Sequence, residues 1–83
     1  MDIRDLLTAR PIAHRGLHDG NVHCMENSLP AFEAAADRNF AIELDVQLSA
    51  DGVAMVFHDG SLDRLTGESG PLAERTAPQL RAV

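Results

Sequence analysis

Apolar and polar positions alternate at period two from Ala41 onward, with Ile42, Leu44 and Val46 on one face and Glu43, Asp45 and Gln47 on the other. This predicts a β-strand. Asp51-Gly52 is a turn signal, because Asp tolerates and Gly supplies the positive φ that tight turns need. An apolar return then runs to His58, so residues 41–58 read as a hairpin. A two-residue loop of Asp51-Gly52 pairs Ala50 with Val53 and sets His58 across from Asp45. A loop two residues longer sets His58 across from Glu43. Either register predicts Glu43, Asp45 and His58 on one face, and only a one-residue slip would move the imidazole to the other.

The remaining pattern is simpler. Asp2–Ala9 reads as a short amphipathic helix with Asp2 as N-cap, stopped at Arg10-Pro11 because the residue before proline avoids the helical region. Pro11–His14 reads as a strand and residues 17–27 as a loop rich in turn formers. A helix is expected over about Leu29–Arg38. Asn27 or Ser28 caps it, Pro30 lies in its first turn, Ala31, Phe32, Ala35 and Ala36 form its packing face, and Asn39 stops it. Residues 59–71 read as a loop anchored by Leu62 and Leu65. Thr76 with Pro78 opens a last short helix. No internal repeat or low-complexity segment interrupts this order. Residues 1–10 form an N-terminal helix in this division, and residues 11–83 a partial domain.

Composition narrows the function class. A chain of 83 residues makes at most one small, marginally stable domain. The net charge is −6, and the seven basic residues are all arginine. Such a balance argues against nucleic acid or an anionic membrane surface as the main partner, yet leaves room for one arginine in a phosphate pocket. The single cysteine, Cys24, has no internal disulfide partner, which fits a reducing compartment. With neither a secretory signal nor a run long enough to span a bilayer, cytoplasmic localisation without a stable membrane anchor is expected.

Candidate chemistry centres on the strand carboxylates. Glu43 and Asp45 side by side would repel, and a hard divalent cation such as Mg²⁺ or Ca²⁺ would relieve that. The plainer alternative is a solvated acidic face. His18, His23 and Cys24 lack the paired spacing of a zinc site and read as loop residues. A cation with an arginine could neutralise an anionic group, and histidines can exchange protons near neutral pH.

His14-Arg15-Gly16 at a strand end, Glu26-Asn27-Ser28 at a helix start, Glu43-x-Asp45, Asp51-Gly52 and His58-Asp59 occur in this order. The set, spanning about Pro11–Leu80, resembles the N-terminal part of the glycerophosphodiester phosphodiesterase family. The resemblance implies an α/β fold, the N-terminal fragment of a (β/α)₈ TIM barrel of the phospholipase C-like phosphodiesterase type, about 250 residues when whole. It implies hydrolysis of glycerophosphodiesters to glycerol 3-phosphate and an alcohol with a divalent metal, Mg²⁺ or Ca²⁺. By position, His14 and His58 would be the acid/base pair, Arg15 would hold the phosphate, and Glu43 and Asp45 would bind the metal. Glu26 and Asn27 would stand in the first or second shell around the metal, and Asp59 is expected to orient His58 or cap a turn. The family's third acidic ligand and a phosphate-holding lysine lie further downstream, and this chain has no lysine. The 83-residue chain is therefore expected to be inactive or incomplete and to self-associate through the exposed surface of a partial barrel. A non-catalytic metal- or phosphate-binding module and an inert truncation product are the alternatives.

Overall fold

The computed structural model describes residues 10–83, so the helix expected over Asp2–Ala9 lies outside the described residues. The chain divides into two compact units, one ending at Leu44 and the other spanning Asp45–Val83.

The first unit is a strand–helix–strand. Strand β1 (Ile12–His14) and β2 (Ala41–Glu43) pair in parallel, joined by helix α1 (Leu29–Asp37). Parallel neighbours need such a crossover, and this is the repeating unit of α/β barrels. The register sets Ile12 against Ala41, Ala13 against Ile42 and His14 against Glu43. Ser28 is the N-cap, its hydroxyl accepting from the Ala31 N–H, and Pro30 adds no unsatisfied donor in the first turn. At the other end Asn39 adopts a left-handed φ of 57°. Its N–H donates to Ala36 C=O, and that of Phe40 donates to Ala35 C=O, which closes the helix as a Schellman motif. Ala31 and Ala35 are fully buried, and α1 lies against β2 through this small-residue face. Ala36, expected on that face, is exposed, because the packing stripe follows the i, i+4 row through Ala31 and Ala35.

The second unit opens with an antiparallel hairpin, β3 (Val46–Leu48) and β4 (Ala54–Val56). A 3₁₀ turn (Leu72–Glu74) and helix α2 (Ala77–Arg81) follow a loop anchored by Leu62, which is 2% exposed, while Leu65 is only half-buried. Thr76 caps α2 in a reciprocal capping box with Gln79. Leu62, Leu72 and Ala77 form the buried core of this unit.

Two hairpin expectations are corrected. The strand does not run unbroken from residue 41, since β2 ends at Glu43 and β3 begins at Val46. The register also differs by one residue: Val46 pairs with Val56 and Gln47 with Met55, so Phe57, not His58, meets Asp45, its N–H donating to Asp45 C=O at 3.0 Å. The cause is the loop. A two-residue type I′ turn needs positive φ at both central residues, but only Gly52 (φ 78°) has it. Instead a three-residue loop forms, with Gly52 N–H on Ser49 C=O and Ser49 N–H on Val53 C=O. Asp51 is held in place by the Ser49 hydroxyl and the Ala77 N–H.

Candidate active site

Each unit carries part of the expected constellation. In the first, β1 and β2 end together at His14 and Glu43, opposite each other in the ladder. His14 Nε2 lies 3.4 Å from Glu43 Oε1, and both side chains are about half exposed. The C-terminal ends of parallel strands are where α/β barrels place their reactive groups.

Immediately after His14 the chain turns sharply. The Gly16 N–H donates to Ala13 C=O, and Arg15, third in that turn, has φ 60°, where Gly or Asn is usual. A left-handed arginine costs about 1–2 kcal/mol, so its surroundings must over-determine it. They do so from the Glu26-Asn27 segment. Asn27, itself left-handed at φ 54°, donates its N–H to Arg15 C=O at 2.8 Å, and Arg15 Nη1 meets Glu26 Oε2 at 3.2 Å. Glu26 is buried, and Asn21 clamps it twice: Asn21 Nδ2 donates to Oε1, and the Glu26 N–H donates to Asn21 Oδ1. With Oε1 and Oε2 both engaged, Glu26 sets the direction of Arg15. Asn21 gave no sequence signal beyond its place in a turn-forming loop.

The intervening loop is built for shape. Asp19 accepts the backbone N–H groups of Val22, His23 and Cys24, bonds that hold its carboxyl below the usual range. His18 Nδ1 accepts from the Gly20 N–H, and the Cys24 thiol points at Leu17 C=O. These contacts shape the loop between β1 and α1.

In the second unit, His58 Nδ1 lies 2.6 Å from Asp59 Oδ1. Arg64 grips the same carboxylate with both arms of its fork, Nε to Oδ2 at 2.8 Å and Nη2 to Oδ1 at 3.0 Å. Arg64 first, then His58, hold the Asp59 carboxyl far below the usual carboxylate range. Gln47 on β3 donates to the carbonyls of Phe57 (2.9 Å) and Asp59 (2.6 Å), the two that flank His58. Sequence reasoning did not single out Gln47 or Arg64. Gln47's only signal was its place on the carboxylate face, and Arg64's was a spacing of five residues from Asp59.

Asp45 is half-buried at the start of this unit. Among the described residues, no group of three or more His, Cys, Asp or Glu side chains that could hold a metal is gathered within either unit. The carboxylates of Glu43 and Asp45 are all-oxygen donors, which suits Mg²⁺ or Ca²⁺ rather than a softer ion.

The chain is similar to known proteins. Glycerophosphodiester phosphodiesterase 1 of Bos taurus is 40% identical over 81 residues, covering 96% of this chain and 23% of the relative. A glycerophosphodiester phosphodiesterase structure from Agrobacterium tumefaciens aligns with a TM-score of 0.77 and 36% identity, covering 88% of this chain and 31% of that one. One from Thermotoga maritima gives 0.76 and 35%, over 88% and 32%. The chain thus spans about a quarter of such a relative and about a third of the solved structures. Its α/β fold is the corresponding portion of their (β/α)₈ barrel. Residues 14–83 match the model of the glycerophosphoryl diester phosphodiesterase family, and the chain belongs to that family.

Proposed function

We propose that this chain carries the acid/base, phosphate-holding and metal-holding residues of a metal-dependent hydrolase that converts glycerophosphodiesters to glycerol 3-phosphate and an alcohol. The observation that carries the reading is the pairing of His14 with Glu43 at the shared end of two parallel strands, directly followed by the strained, Glu26-braced Arg15. A purely structural turn would place Gly or Asn where Arg15 stands.

In this reading Arg15 binds the phosphate through its planar fork, aimed by Glu26 and, through Glu26, by Asn21. His14 and His58 divide the proton transfers, one taking the proton of the attacking nucleophile, water in the net hydrolysis, and the other giving one to the leaving oxygen. Glu43 and Asp45 would hold Mg²⁺ or Ca²⁺, which when bound neutralises charge on the non-bridging oxygens. Glu26 acts behind Arg15, since both of its oxygens are taken. By itself the 83-residue chain would bind metal weakly, because two carboxylates leave most of an octahedral shell to water. We propose that it does not turn over alone.

Calorimetric titration with Mg²⁺ and Ca²⁺ tests the metal assignment. Binding to the wild type that disappears in Asp45→Ala supports it. Binding unchanged in that variant removes Asp45, and no binding to the wild type favours the inert alternative. The hairpin's apolar face adds a proposal about partners. Val46, Leu48 and Val56 are 56%, 60% and 41% exposed, an apolar surface through which two copies of the chain would associate. Sedimentation as a monomer at every concentration would contradict that.

A further inference from the structure

His58 is held by more than its neighbour in sequence. Asp59 is an acceptor when ionised, so the contact at 2.6 Å requires the imidazole to donate from Nδ1. That leaves Nε2 as the lone-pair nitrogen of the neutral ring. Asp59 is in turn fixed by both arms of Arg64, an arrangement that a single point charge cannot reproduce. Arg64 rises from an anchored segment: its neighbour Leu62 is buried, and the Thr66 N–H and hydroxyl both donate to Leu62 C=O. The backbone on either side of His58 is pinned separately, by the Gln47 amide on Phe57 C=O and Asp59 C=O. Neither clamp belongs to the backbone ladder of the hairpin, which runs as far as the Phe57 N–H on Asp45 C=O.

We infer that Arg64, acting through Asp59, is a positioning residue that holds His58 in the Nδ1–H tautomer with Nε2 as its working nitrogen, and that Gln47, acting through the flanking carbonyls, holds the backbone that carries the ring. The inference rests on His58 being one of the acid/base pair. Asp59 stays ionised through the neutral range because Arg64 stabilises its charge, so the ring meets a fixed acceptor throughout. A buried carboxylate orienting a histidine by its Nδ1–H is the logic of hydrolytic triads, where replacing the carboxylate by an amide selects the wrong tautomer. Here the carboxylate is only partly buried, and the arginine supplies the rigidity that burial would otherwise give.

The test is side-chain ¹⁵N correlation spectroscopy of the histidines in the 83-residue chain, at a pH where the rings are neutral. The wild type should show His58 protonated on Nδ1. Arg64→Ala and Asp59→Asn should each lose that signature and gain Nε2–H, and Arg64→Lys should not restore it, because an ammonium holds one carboxylate oxygen. Gln47→Leu should keep the tautomer but broaden the His58 signals. The amide fingerprint checks folding, and Asp59→Asn, nearly isosteric, serves if Arg64→Ala does not fold. A wild-type ring protonated on Nε2, or an Nδ1–H signature that survives both Arg64→Ala and Asp59→Asn, would overturn the inference. The spectrum involves no substrate or metal, so it fails or succeeds independently of the proposed activity.

Discussion

Gly16 leaves no room for a side chain. A Cβ built there would stand 2.8 Å from Ala31 Cβ and 3.0 Å from the Ala31 carbonyl carbon, at a φ of 82°. Gly16→Ala should therefore destabilise the first unit by about 1–3 kcal/mol through overpacking and a left-handed alanine, read as a lower urea midpoint. Glu26→Gln tests the neighbouring ion pair. It leaves Arg15, whose side chain is 19% exposed, facing a neutral amide, and should cost about 3 kcal/mol. An unchanged midpoint would show that the pair contributes nothing to holding the turn. At this scale much was legible. His14, Arg15, Glu26 and Asn27 could be picked out as a set from sequence, and the structure joins Arg15 to both Glu26 and Asn27. What could not be read was how they meet. Asn21's double clamp depends on a loop conformation in which Asn21 is left-handed, and no periodic pattern encodes that.

The two described helices began where cap chemistry said they would, and α1 also ended where expected. Ser28 and Thr76 cap α1 and α2, and Asn39 ends α1. Ser28→Ala should cost about 1 kcal/mol, and Thr76→Ala about the same or more because it also breaks the capping box. The hairpin register was not legible, for a physical reason. The loop type is chosen by Asp51, whose carboxylate accepts from the Ala77 N–H at the start of α2, a partner remote in sequence. A local turn signal contains nothing about that partner. The same contact gives a pH prediction. Bonds from Ser49 and then Ala77 lower the folded-state pKa of Asp51 below 3.8, so its contribution is full above that value and is lost as pH falls through the lower folded value. The urea midpoint should fall on acidification below about pH 4, and fall less in Asp51→Asn, which has no carboxylate to protonate. Equal acid sensitivity of the two proteins would remove Asp51 from the account.

For the whole molecule, pattern alone could say α/β with a parallel strand–helix–strand start, and motif order supplied the barrel. The apolar alternation that marked β2 and β3 is real, yet Ile42 and Leu44 in the first unit and Val46 and Leu48 in the second remain at least a third exposed. A sequence encodes that a face is apolar, not what lies on it, and this chain spans only about a third of its solved relatives. The proposed function makes His14, Arg15, Glu43, Asp45 and His58 the working residues of diester hydrolysis. It is tested most directly by grafting residues 14–83 in place of the matching third of the Thermotoga maritima protein and measuring glycerol 3-phosphate release from a glycerophosphodiester. The graft should turn over with Mg²⁺ or Ca²⁺, stop on chelation, and lose roughly 10²–10⁴-fold in kcat in His14→Ala and in His58→Ala. A folded graft whose rate is unchanged by either histidine substitution would contradict the claim.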